Sequence, residues 1–122
     1  MDISILGNYL GHCILNEYLV VFSTSSTERD DNGKTDGEDF ITRINLNPAV
    51  KENKVIPLYR GSNSYSLGFC TDNPIEAISS YENANIQKVY WTDGYNQPRM
   101  INIAPSNDDK IGKYTSKSFD FV

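Results

Sequence analysis

Short runs in which apolar and polar side chains alternate, each closed by Gly, Asn, Asp or Pro, recur from one end of this chain to the other. A period of two is the mark of strands, because successive side chains on a strand point to opposite faces. No window keeps apolar residues at i, i+3, i+4 and i+7 for the roughly 10–12 residues a helix requires. "HCILN" is followed almost at once by "EYLVVFSTSS", in which Tyr18, Val20 and Phe22 point one way and Leu19 and Val21 the other. Apolar residues on both faces predict a strand covered on both sides. "DFITRINLN" sets Phe40, Thr42 and Ile44 against Ile41, Arg43 and Asn45, and the Pro57 in "KVIPLYRG" predicts an edge strand or a bulge. "EAISSYE", "IQKVYWTD" and "PRMINIA" continue in the same style. Pro74 stands where it would suit the first turn of a helix over "PIEAISSYENANIQ", but Ser, Asn and Tyr dominate that segment and a strand is the better reading.

The two halves of the chain repeat one another. "NEYLVVF" aligns with "NIQKVYW", Phe22 falling on Trp91, and "ITRINLNP" aligns with "QPRMINIAP", Ile44 falling on Ile101 and Pro48 on Pro105. The two alignments differ in offset by about the length of the acidic insertion "ERDDNGKTDGED", and loop closure entropy grows slowly enough with length to tolerate such an insertion. Each half then holds a strand ending in an aromatic, a turn and a return strand. The expected fold is all-β, made of antiparallel four-stranded blade-like units that form a partial β-propeller or a two-sheet sandwich. A single β domain over 1–122 is expected, divided into repeats of about 1–70 and 71–122. The finish "KSFDFV", with Phe119 and Phe121 alternating around Asp120, reads as a terminal strand able to complete a sheet.

At 122 residues the chain is one domain's length. Its net charge of −5 argues against nucleic acid as a partner, since phosphate binding requires a basic surface. The start "MDISILGNYLGHCILNEYLVVF" lacks a basic leader region, and Gly, Asn and Glu cut its apolar runs well short of the ~20 residues of a membrane span. Cys13 and Cys70 form no CxxC pair. Two buried free thiols are the plainer reading, and a disulfide between them is the other.

Candidate chemistry is sparse. His12 is the one histidine, and no G-x-S-x-G turn accompanies it to present a nucleophile, so it reads as a strand-edge residue. His12, Cys13 and Cys70 do not have the spacing of a zinc site. The acidic insertion supplies oxygen ligands of the type Ca²⁺ takes. Aligned on the EF-hand pattern from Asp30, it puts Lys34 at the third ligand position and Thr35 at the glycine. It is therefore read as a solvated, mobile surface loop, with partner docking as a second role. No metal, cofactor or reaction is expected. Tyr59, Arg60, Tyr65 and Phe69 in "PLYRGSNSYSLGF" form a possible contact loop; a cap on the sheet ends is the simpler alternative. Tyr81, Tyr95 and Tyr114 admit the same two readings.

"KVYWTDGYNQPRMINI" resembles the repeat of YWTD-type β-propellers, with Tyr90, Trp91, Thr92 and Asp93 matching that motif and Gly94 following. Val89 and Trp91 would share one strand face and Tyr90 and Thr92 the other, while Asp93 and Gly94 make the turn. The upstream copy departs from the motif, reading Val21-Phe22-Ser23-Thr24. Two units cannot close a propeller by themselves. The run "YENANIQKVYWTDGYNQPRMINI", with looser support upstream, is also similar to the tail stabilization or muzzle proteins of crAss-like Bacteroides bacteriophages. That resemblance implies a non-enzymatic virion component, made in the bacterial host, whose partners are other protein subunits or further copies of itself. A glycan- or peptide-binding propeller module is the alternative.

Overall fold

A computed structural model of the chain describes residues 5–120. Four antiparallel strands, β1 (Asn8–Leu15), β2 (Tyr18–Thr24), β3 (Asp39–Asn45) and β4 (Val55–Gly61), form one sheet in sequence order. β5 (Glu76–Asn83), β6 (Ile86–Thr92) and β7 (Arg99–Asn102) form a second. The all-β, antiparallel expectation holds, and "EAISSYE" is a strand. Asn16 turns the chain between β1 and β2 with φ of 56°, a conformation Asn tolerates better than most residues. Pro57 lies where predicted, on edge strand β4 beside a register shift opposite Ile41 and Thr42.

The sheets pack face to face. Tyr18, Val20, Phe22 and Ile41 of the first sheet and Val89, Trp91 and Ile101 of the second belong to one buried core. The Phe22 and Trp91 rings meet at 5.0 Å. The sheets approach most closely at β1 and β5, which run side by side in the same direction. There the Ile75 N–H donates to the Leu10 carbonyl at 3.0 Å and the Ser79 hydroxyl to the Ile14 carbonyl at 3.0 Å. Gly11 makes this approach possible, because a Cβ at that position would strike the Ile75 carbonyl oxygen. Farther from this seam a wedge of side chains separates the sheets. Phe119 stands between them, its ring 4.9 Å from Tyr59 on β4 and 5.9 Å from Trp91 on β6.

Filling that wedge alters the expected second unit. Among the described residues its sheet has three strands rather than four. Residues 105–119 instead form 3-10 turns and one short helix, α1 (Asp108–Ile111), which deliver Ile111 and Phe119 into the core. The fourth-strand position is held by a single antiparallel bridge between Arg99 and Asp120, reinforced by an ion pair at 3.3 Å. Phe119 therefore sits in a 3-10 turn rather than a strand, and Phe121 lies outside the described residues.

Strand register also refines the repeat. Carrying β1 onto β5 along the seam takes Ile14 onto Ser79. Following the cross-strand partners then takes Leu19 onto Val89 and Ile44 onto Ile101, because Ile14, Leu19 and Ile44 lie opposite one another, as do Ser79, Val89 and Ile101. The Ile44–Ile101 alignment stands. In β2 and β6 the match moves by one residue, so Val21 rather than Phe22 corresponds to Trp91. A slip of one exchanges the two faces of a strand. Phe22 and Trp91 are thus not matched by this register; each projects from its own sheet into the shared core, where the two rings meet.

Trp91, 3% exposed, touches aromatic rings from β2 and the tail. Trp91→Ala should cost about 3–5 kcal/mol, the range for truncating a large core side chain. Urea unfolding of wild type and variant measures it, and an unchanged midpoint would contradict this packing.

Candidate functional site

The turn after β6 shows why the Tyr90–Gly94 sequence is spelled as it is. Trp91 enters the core, while Tyr90 and Thr92 look away from it. The buried Asp93 carboxylate accepts from the backbone N–H groups of Tyr95 at 2.9 Å and Asn96 at 2.7 Å, and from the Asn96 side-chain amide at 2.7 Å. Gly94, with φ of +74°, takes the left-handed position that such a turn needs. Asp93 and Gly94 thus form the turn that follows β6.

Near the same end of the core lies a polar knot centred on Asp39. Asp39, fully buried, accepts from the Thr24 hydroxyl at 2.7 Å, the Ser66 hydroxyl at 2.9 Å and the Leu67 N–H at 2.7 Å. It thereby ties the first sheet to the loop running from β4 to β5. Arg99 donates to the Leu67 carbonyl at 2.6 Å and so joins the second sheet to that loop. Arg43 makes a bidentate pair with Asp108 at 2.8 and 2.9 Å and also donates to the Ile103 carbonyl, holding α1 against β3. Strand parity is the signal that could have found Asp39 and Arg43, since both alternate with Phe40 and Thr42 and share the inward face of Ile41.

The acidic insertion makes several contacts within itself and with the neighbouring loops. Asp30 accepts from the N–H groups of Asn32 and Lys34, both at 2.9 Å. Arg29 donates to the Asn73 side chain and to the carbonyls of Gly33 and Gly68, and its guanidinium lies 3.8 Å from the Tyr95 ring centroid. One arginine thus fastens the insertion to both the β4–β5 loop and the Asp93 turn. Among the described residues no three His, Cys, Asp or Glu side chains are grouped so as to hold a metal ion.

The residues of the possible contact loop separate. Phe69 and Tyr59 are core side chains, the Tyr59 hydroxyl donating to the Tyr65 carbonyl at 2.7 Å. Arg60 and Tyr65 face solvent, Arg60 paired with Glu38 at 3.0 Å. With Lys113 and Tyr114 they border a shallow cleft of about 340 Å³. Of the other tyrosines, Tyr81 and Tyr95 are exposed and Tyr114 packs edge-on against Phe119. His12 lies on the exposed side of β1, its Nδ1 2.6 Å from the Tyr9 hydroxyl. Cys13 and Cys70 are free and buried, and burial pushes the Cys13 thiol up to about 11, which keeps it protonated at neutral pH. The arrangement offers surfaces and a well-tied scaffold.

Comparison with known proteins now decides the family. The crassvirus muzzle protein family model matches residues 1–122, the whole chain. The chain belongs to the crassvirus muzzle protein family. A muzzle protein of Bacteroides phage crAss001 is 40% identical over 116 residues, which cover 95% of this chain and 7% of that protein. The chain therefore spans a small part of the length of that relative. The family supports the resemblance seen in "YENANIQKVYWTDGYNQPRMINI", whereas the match to the YWTD repeat rests on the motif residues alone.

These ties have measurable consequences. Arg29→Ala should leave the core folded but speed proteolytic cleavage within 27–38, read by limited digestion and mass spectrometry; an unchanged cleavage rate would show that Arg29 does not hold the loop. Burial raises the Asp39 carboxyl above its ordinary value, opposed by the hydroxyl and amide donors around it. A carboxyl raised in the folded state contributes most below the unfolded value, near pH ~4, and that contribution is lost as pH rises through the folded value. Asp39→Asn should accordingly flatten the decline in urea midpoint above that range. Asp39→Ala should destabilise at every pH, by roughly 1–3 kcal/mol per orphaned buried donor.

Proposed function

We propose that this chain is a structural component of a phage virion, built of two blade-like units at about 1–70 and 71–122, whose work is protein–protein contact in the tail region. Membership of the muzzle family carries this reading. The fold supports it: two antiparallel sheets rotated about a common seam are the geometry of neighbouring propeller blades. Tyr90, Trp91, Thr92, Asp93 and Gly94 act in this reading as determinants of the second blade, and Arg60 and Tyr65 as accessible contact residues. The acidic charge disfavours phosphate backbones. No helix among the described residues is long and apolar enough to cross a membrane.

Purified virions provide the test. Peptides of this chain should be found by mass spectrometry in density-purified particles and remain after a high-salt wash, and antibody against it should label the tail end. Absence from the particles, or saturable binding of the free protein on a glycan array, would overturn the structural reading.

A further inference from the structure

A hollow of about 220 Å³ opens where three loops converge: the acidic insertion, the stretch between β4 and β5, and the turn after β6. Arg29, Lys34 and Arg99 line it, and none of its lining residues is Asp or Glu. Such a lining stands out in a chain whose net charge is −5. The ion pairs among the described residues are Arg43–Asp108, Arg60–Glu38 and Arg99–Asp120, so Arg29 and Lys34 face no carboxylate partner there. Arg29 donates to neutral oxygens instead, those of Asn73, Gly33 and Gly68.

Arg99 is the most buried of the three, its side chain only 10% exposed. Its Nε pairs with Asp120 at 3.3 Å and its Nη1 donates to the Leu67 carbonyl at 2.6 Å. Its Nη2 makes no hydrogen bond among the described residues. Nor is Nη2 one of the sealed side-chain atoms left without a partner, which are Ser23 Oγ and Gln87 Oε1. A guanidinium nitrogen that is neither partnered nor shut away is a donor open to a molecule entering the hollow. Lys34 is exposed, and its ammonium is likewise without a hydrogen bond among the described residues.

We propose that this hollow binds a single carboxylate group, which accepts from Arg99 and Lys34 while Arg29 supplies further positive charge. Guanidinium N–H groups match carboxylate oxygens in one plane, and a lysine ammonium adds a donor on a flexible stem. Because Asp120 already balances Arg99, the charges left to be met are those of Arg29 and Lys34. A neighbouring hollow of about 380 Å³ shares both residues but is also lined by Glu28, Asp30 and Asp36. Those carboxylates oppose a second negative charge nearby, so the site favours a monoanionic carboxylate over a phosphate dianion. The group can come from a free small acid or from an Asp or Glu side chain of an adjoining subunit. The latter would give the protein-contact reading above a defined anchor, but the site does not depend on that reading.

NMR titration of the isotope-labelled chain with acetate, at an ionic strength held constant with sodium chloride, tests the site. The amide signals of Lys34, Gly68 and Asn96 should move saturably while those of β1 stay in place. Lys34→Glu alters an exposed side chain, so the melting temperature should hold. Acetate binding should weaken by about tenfold or more, because a like charge then faces the ligand. Arg99→Lys keeps the charge but removes the planar fork, and should weaken binding as well. Glutamate blocked at both backbone ends separates the two sources: tighter binding than acetate indicates a partner's side chain, and weaker binding a free acid. No saturable shift with either carboxylate, tighter binding of inorganic phosphate than of both, or an affinity indifferent to Lys34→Glu would overturn the proposal. Detection in virions would stand whatever the titration shows.

Discussion

The contact on which the rest of this structure depends is the seam between β1 and β5. At this seam a Cβ on residue 11 would strike the Ile75 carbonyl oxygen, and Gly11 leaves that space open. Once the seam is fixed, the angle between the sheets follows, and with it the position at which Phe22 meets Trp91. The opening between β4 and β7 follows too, and the tail fills it with Phe119 and Ile111. Hydrophobic burial supplies the driving force but is indifferent to direction. It is the seam that turns two apolar sheets into a particular arrangement.

Polar ties then lock the arrangement at the loops. Asp39, Arg99 and Arg43 each reach from a strand to a segment distant in sequence. Buried groups of this kind are costly unless satisfied, and their partners here are mostly backbone atoms and hydroxyls that only this loop course provides. Arg29 does the same for the insertion between β2 and β3, fastening a run rich in Asp, Glu and Gly to the loops beside it.

Much of the fold was legible in the sequence. The alternation in "EYLVVFSTSS" and "DFITRINLN" gave strand positions and facing, and Pro57 marked its edge. Asp93 and Gly94 marked their turn because Asx acceptance and a left-handed glycine are local properties. What could not be read was long-range. The tail abandons strand geometry because Phe119 is needed in the wedge, a demand set by the angle between sheets and not by its neighbours in sequence. Phe69 and Tyr59 looked like contact residues because Gly and Ser surround them, yet Tyr59 points into the core from β4 and the Asp39 knot draws the loop carrying Phe69 across it. The one-residue error in aligning Phe22 with Trp91 has a similar origin: aromatic identity suggested equivalence, whereas facing across an interface was the actual relation.

The borders of the two sheets limit how these molecules meet. β4 carries Pro57 and a register shift in its pairing with β3, and β7 is four residues long with Arg99 engaged by Asp120. Neither border offers the long, flat row of open amides that recruits foreign strands into ribbons. Crowded copies of such a chain can touch broadside through their flat surfaces, whereas Pro57, the register shift and the shortness of β7 disfavour extension along the hydrogen-bonding direction.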